Sequence, residues 1–285
     1  MFSLKIQNAK GELFELSHNH QNYIITNVEG LTVPQIVNNT ASGGTVDGAF
    51  YNSSRMETRN IVITVRLVGD IEGNRQRLYK MFSLKKPNTI YFKNANRDLK
   101  IIGYVEVIEG DLFTEAESIQ ISIICPRPYW ESAKTISEEL SYTIRRFEFP
   151  FSIENDDPIS LSEYTASPLV EVLNRGDVEC GAIFTVTFSG NVEGLVIYNA
   201  TNQQAIGFNV TFTDRSGVLT IDTRAGYLAA YLTNGATKTN LINKLIDVSK
   251  WIKLDVGVNV FTFFTGSGGA NVNITIEAAE LYGGV

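Results

Sequence analysis

Short runs in which apolar and polar residues alternate recur along the chain. Ile61, Ile63, Val65 and Leu67 fall on one side of an extended segment, with Thr64 and Arg66 on the other. Ile119, Ile121 and Ile123 alternate with Gln120 and Ser122, and Val272, Ile274 and Ile276 with Asn273, Thr275 and Glu277. Side chains two apart on a strand point the same way, so each run has one buried and one wetter face, which predicts antiparallel β-structure. One segment breaks the rhythm. Between Asp70 and Lys86 good helix formers replace the β-branched residues, and Leu78, Met81, Phe82 and Lys85 fall three and four apart. A helix is predicted near residues 73–85, with Asp70 placed to cap its start, Lys85 and Lys86 suited to its negative end, and Pro87 stopping it. The stretch Asn240–Ser249 reads equally as a helical turn or as a loop with a short strand.

Turn residues divide the chain. Asn38–Asn52, with Gly43, Gly44 and Gly48, reads as a long flexible loop, uncommon in a compact domain unless it has a role. Pro126 and Pro128 bar a continuing central strand and close a first domain over residues 1–135. The rest, 136–285, forms a second domain. Its segment 136–168, with a strand at Tyr142–Phe151, reads as a connection that adds an edge strand. Beyond it, Asn174-Arg175-Gly176-Asp177, Asp222-Thr223, Asn234-Gly235 and Gly257-Val258-Asn259 punctuate short apolar runs in the manner of a β-sandwich. The predicted fold is mainly β: an N-terminal β-domain with one α-helix, and a C-terminal β-sandwich.

Two domains also follow from a length of 285 residues. Charge is split unevenly between them: 15 basic and 14 acidic side chains in residues 1–135, against 9 and 17 in 136–285. An acidic second half offers no basic stripe for nucleic acid or anionic lipid. No stretch is apolar enough for a membrane span, and the first residues lack the apolar core of a signal peptide, so cytoplasmic synthesis is expected.

Chemistry is sparse. Cys125 and Cys180 are the only cysteines, one in each half, which supports neither a disulfide scaffold nor a zinc site. His18 and His20, the only histidines, sit among Asn and Gln as in an exposed turn, without a third ligand. Asp156 and Asp157 point apart in extended chain and read as a solvated linker, while turn or edge positions account for Asp222 and Asp255. Gly266-Ser267-Gly268-Gly269 precedes a strand, not a helix, and so reads as a hairpin turn, not a phosphate loop. No catalytic, cofactor-binding or metal-binding residues are assigned, and an enzyme is not expected. Tyr227, Tyr231 and Trp251, with Tyr198, are candidates for stacking on a saccharide or for packing against a core or partner. Arg55, Glu57 and Arg59 alternate ahead of a strand, either as an ion-pair row between subunits or as a solvated edge.

The order of these features carries a resemblance. A Gly-rich loop leads through Arg55-Met56-Glu57-Thr58-Arg59 into Ile61–Leu67; the helix, Pro87, the strands Thr89–Lys93 and Arg97–Ile108, and Cys125-Pro126-Arg127-Pro128-Tyr129-Trp130 follow. With the turn residues of the second half and Ser249-Lys250-Trp251, this resembles the distal tail (tail-hub) proteins of long-tailed bacteriophages across nearly the whole chain. The resemblance implies a structural virion protein of the tail tip. Its N-terminal domain would assemble as a sixfold ring continuing the tail tube, and a galectin-like or carbohydrate-module-like sandwich would project outward to hold baseplate and receptor-binding proteins. The alternative is a module recognising bacterial cell-wall polysaccharide through the sandwich. This chain lacks the large insertion of members thought to bind host sugars, which weighs against that alternative.

Overall fold

The structure, a computed structural model, describes residues 2–17, 19–44, 47–82, 84–110, 117–141, 143–145, 162–164 and 168–285. Unit 1 comprises Met1–Lys134 together with Leu281–Val285, and unit 2 is Thr135–Glu280. The last five residues, expected in the second domain, therefore belong to the first. They do so because Leu281 and Tyr282 pair antiparallel with Glu131 and Trp130.

Unit 1 contains β1 (Ser3–Gln7), β2 (Leu13–Leu16), β3 (Tyr23–Glu29), β4 (Ile36–Ala41), β5 (Phe50–Met56) and β6 (Arg59–Leu67). Helix α1 (Ile71–Met81) follows, then β7 (Pro87–Lys93), β8 (Asp98–Gly110), β9 (Ser118–Cys125) and β10 (Trp130–Ser132). The main sheet runs β2-β1-β7-β8-β9-β6-β3, and a parallel bridge between Ser17 and Ile24 draws its two ends together. A sheet curled in this way hides its edges, which would otherwise invite pairing with other chains. The alternation is realised as predicted: Ile61, Ile63 and Val65 face inward from β6, and Ile119, Ile121 and Ile123 from β9, all at most 1% exposed. The inward face ends on Trp130, which is fully buried.

Helix α1 is shorter than predicted. The Asp70 carboxylate accepts from the Gly73 N–H at 3.1 Å, capping the start as expected. The helix stops at Met81, because Phe82 turns into extended backbone and is buried, while Lys85 takes a left-handed φ of 59°. Lys85 and Lys86 therefore make the turn into β7 rather than the last helical turn. Asn74 and Leu78 form the buried stripe, continued by Phe82 just past the end, and Asn74 Nδ2 donates to the Val68 carbonyl at 2.8 Å.

The expected loop Asn38–Asn52 is instead largely a β-hairpin. β4 and β5 pair from Ile36↔Met56 to Ala41↔Phe50 as a two-stranded sheet of their own. Alternation failed to reveal it because both faces of this ribbon are wet: Asn, Ser and Thr occupy its middle, and nearly every residue is exposed.

Unit 2 contains β11 (Ile136–Ser141), β12 (Thr143–Arg145), β13 (Ser162–Tyr164), β14 (Val170–Asn174), β15 (Cys180–Phe188), β16 (Val192–Asn199) and β17 (Gln204–Phe212). It continues with β18 (Val218–Asp222), β19 (Ala229–Asn234), β20 (Thr237–Asn240), β21 (Lys253–Leu254), β22 (Gly257–Phe264) and β23 (Val272–Ala278). One sheet runs β11-β23-β15-β18-β19-β20, with β21 beside β15; the other runs β14-β22-β16-β17. Their inner faces make a sandwich core in which Phe184 meets Phe261 at 5.7 Å between ring centroids and Phe188 stacks on Phe212 at 4.5 Å. β11 is an edge strand, paired to β23. Of the predicted strand Tyr142–Phe151, Tyr142 and 146–151 lie outside the described residues, as do Asp156 and Asp157; β12 pairs with β13. The turn at Gly266–Gly269 is not a hairpin turn, since β22 and β23 belong to different sheets and the segment crosses between layers. Asn240–Ser249 resolves to a single 3-10 turn, Ile242–Lys244, within a loop.

Both cysteines are buried, and burial pushes each thiol up to about 12 from an ordinary 9. Between those values the folded protein keeps a thiol proton that the unfolded chain has released. Stability is full below about pH 9 and falls as pH rises toward 12, by about 1.4 kcal/mol per unit for each cysteine. Urea midpoints measured from about pH 8 to 10.5 should show this fall, and Cys180→Ala should flatten it for unit 2 while unit 1 keeps its slope.

Candidate assembly surfaces

The hairpin β4–β5 extends the β3–β6 pairing beyond the main sheet. Gly30 ends β3 with a φ of 79°, and a Cβ there would lie 1.9 Å from the Asn60 carbonyl oxygen, so only glycine fits this bend. The chain then runs through 31–35 to β4 and returns, with the Glu57 N–H donating to the Gln35 carbonyl at 2.9 Å. On the ribbon, Phe50 is 62% and Tyr51 64% exposed, and Ile36 and Val33 at its base are about as open. A second apolar area lies on the outward face of β8, at Ile102, Tyr104 and Val107.

The three residues predicted as a row separate into two environments. Arg55 and Glu57 form an ion pair at 2.9 Å, with the Arg55 side chain 77% exposed. Arg59 is no part of that row: it is buried, and it is the first inward residue of β6. Its guanidinium donates to the carbonyls of Pro128 (2.8 Å), Gly30 (2.6 Å), Gly283 (2.6 Å) and Thr32, and it lies 5.6 Å from the centre of the Trp130 ring. Burial lowers its pKa to about 10, which leaves it charged at neutral pH. The hairpin junction at Glu57 and Thr58 breaks the row, since alternation does not carry across a change of sheet. The signal for Arg59 was nevertheless present, because it shares parity with Ile61, Ile63 and Val65.

In unit 2 the aromatic candidates already have company. The Arg224 guanidinium lies 4.8 Å from the Tyr227 ring centre, and Arg224 is itself held by Asp222 at 2.7 Å. Lys238 places its ammonium 3.3 Å from the ring centre of Tyr231. Cations on their faces leave these rings less open to a sugar. Trp251 is half-buried in the loop ahead of the fully buried Ile252.

The turn motifs of unit 2 turn out to be structural. Asn174, Asn199 and Asn259 are at most 1% exposed. Asn259 Nδ2 donates to the carbonyls of Asp255 (2.8 Å) and Gly257 (3.1 Å), and its Oδ1 accepts from the Asp255 N–H (2.9 Å) and from Asn199 Nδ2 (3.1 Å). Asn174 Nδ2 reaches the carbonyls of Val178 and Leu254. These amides fasten irregular backbone to the sandwich, as buried polar groups must be satisfied. His20 accepts backbone N–H groups of Asn22 and Tyr23 through Nδ1, and His18 lies outside the described residues. Among the described residues no cluster of three His, Cys, Asp or Glu side chains is arranged for a metal, and no helix is long and apolar enough to cross a membrane.

Two family models match this arrangement. Residues 13–125 match the phage tail protein RIFT-related domain, and residues 175–278 match the siphovirus-type tail component, C-terminal domain. The chain belongs to the siphovirus distal tail protein family. Among solved structures it is similar to the SPP1 Dit protein, described as a paradigm of the hub adsorption apparatus in phages infecting Gram-positive bacteria. The match has 14% identity, a TM-score of 0.69, and covers 99% of both chains. It is also similar to a chain of the phage p2 baseplate in its activated conformation, with Ca and with Sr. Those matches have 12% identity and TM-scores of 0.53 and 0.54, and cover 97% of this chain and 98% of those. At such identities the likeness is one of fold. None of the curated proteins matches the chain. As a distal tail protein it is a structural component of the phage tail tip and baseplate hub, not an enzyme. The fastened turns and the apolar ribbon fit that role: rigid layers with surfaces left for neighbours.

Proposed function

We propose that this distal tail protein forms a sixfold ring through unit 1, continuing the tail tube, while unit 2 holds baseplate and receptor-binding proteins. The observation that carries the ring is the hairpin β4–β5. A two-stranded ribbon is marginal in water by itself, and this one leaves Phe50 and Tyr51 uncovered. A neighbouring copy of the chain supplies the missing surface. Contacts of this head-to-tail kind close into rings when the rotation between copies allows it. The charge distribution supports the same division of labour. A nearly neutral first half suits close self-contact, and the acidic second half suits a solvated periphery.

Replacing Asn38–Asn52 by a short Gly-Ser link tests the reading. The expected outcome is a protein whose particle mass, read by native mass spectrometry, falls from ring to monomer, with an unchanged melting profile. A ring of full copy number formed by the shortened chain would refute it. Saccharide recognition by Tyr227, Tyr231 and Trp251 has less support, because cations already occupy the first two rings.

A further inference from the structure

The chain leaves unit 1 after Lys134 and comes back only at Leu281. What comes back, Leu281–Val285, is a strap held by several contacts. Leu281 and Tyr282 pair with β10, whose other side pairs with β8. The Arg97 guanidinium lies 4.5 Å from the Tyr282 ring centre and donates to the Gly284 carbonyl. Arg59 donates to the Gly283 carbonyl at 2.6 Å, and the Val285 N–H reaches the Leu31 carbonyl at 3.3 Å.

Several of these partners converge on the root of the hairpin. Arg59 spends two further donors on Gly30 and Thr32, and the strap itself touches Leu31. Residues 30–35 are the connection from which β4 departs. The strap, Arg59 and the root thus form one hydrogen-bonded knot, while the barrel sheet closes without the strap through β2 and β3.

We propose that the strap Leu281–Val285 is a latch that sets the direction of the β4–β5 hairpin, so that a chain offers an aligned hairpin only when the segment following unit 2 is seated. Its consequence for assembly rests on the ring reading above; the latch itself does not. Chains broken off within unit 2, or cut after it, keep a barrel but present a hairpin with a loose root. Chains without a seated strap are thereby kept out of the ring.

The test compares the full chain, a chain ending at Glu280, and the full-length variant Arg97→Gln. Hydrogen exchange over residues 30–56 is expected to speed up about tenfold or more in the shortened chain, and by less in Arg97→Gln. Alkylation of the two buried thiols supplies the control. Cys180 reports unit 2 and should stay protected, and Cys125, beside Arg59 in the β6–β9 register, should stay far slower than in denaturant. Unchanged exchange at the root without the strap overturns the latch. So does labelling of Cys125 at its denatured rate, since the barrel must survive release. Ring mass is then read separately. Full rings from the shortened chain refute the latch's consequence for assembly and leave the ring reading standing. A seated strap and protected root in a full chain that forms no ring refute the ring reading and leave the latch standing.

Discussion

Arg59→Met should cost unit 1 about 3–5 kcal/mol, the range seen when one member of a buried charged hydrogen-bonding set is removed. Methionine fills much of the same space, so the loss comes from polarity rather than from a cavity. Four backbone carbonyls, of Gly30, Thr32, Pro128 and Gly283, lose their donor at once. A buried carbonyl that loses a charged donor bears a penalty of about 1–3 kcal/mol, softened where another partner remains or water can enter. Arg59→Lys keeps the charge but not the planar fork. One ammonium cannot span four carbonyls, and about half of the loss should remain. Denaturation followed by Trp130 fluorescence in a Trp251→Phe background isolates unit 1, because these are the only two tryptophans. A midpoint within error of the parent for Arg59→Met would show that the knot contributes nothing.

The second large effect lies in unit 2. Asn259→Ala removes four hydrogen bonds at one fully buried position and should destabilise the sandwich by about 3–4 kcal/mol. The carbonyls of Asp255 and Gly257 are stranded, and Asn199 loses one of the two acceptors for its amide, keeping the Lys253 carbonyl. Asn259→Asp discriminates the cause. Its carboxylate still accepts from the Asp255 N–H and from Asn199, but it cannot donate to the two carbonyls, so a loss nearly as large is expected. Cys180 alkylation against urea reads unit 2 directly, with Cys125 as the internal reference for unit 1. Equal stability of parent and Asn259→Ala would mean that the loop 251–256 is held by its other contacts, among them buried Ile252 and Leu254 and the bonds of the Lys253 carbonyl and N–H.

These two residues also mark how far the sequence could be read. Asn259 stood out as part of the Gly257-Val258-Asn259 turn, and its place in the order of turns helped to indicate the family. Its local bonds to Asp255 and Gly257 belong to that turn, but its work as a clamp between strands was hidden, because Asn199 approaches it only when β16 and β22 pair. Arg59 was visible and misplaced. Grouping it with Arg55 and Glu57 treated the approach to β6 as one continuous strand, whereas β5 and β6 belong to different sheets. The aromatic candidates show the opposite case. Tyr231 and Lys238 meet because a tight turn at Gly235 folds β20 onto β19, a hairpin the Asn234-Gly235 pair announces.

Alternation along single strands determined the β-layers, their inward faces and the absence of a helical second half, because the two faces of a sheet impose a period of two on any chain that lies in it. The break in that period located α1 for the same reason. The Gly266–Gly269 crossing, the hairpin and the strap were decided by which strands close against which. Such pairings join residues far apart in the chain, as when Arg59 meets the Gly283 carbonyl 224 positions away. No local pattern encodes a partner at that distance; only the closed sheet brings it within a hydrogen bond.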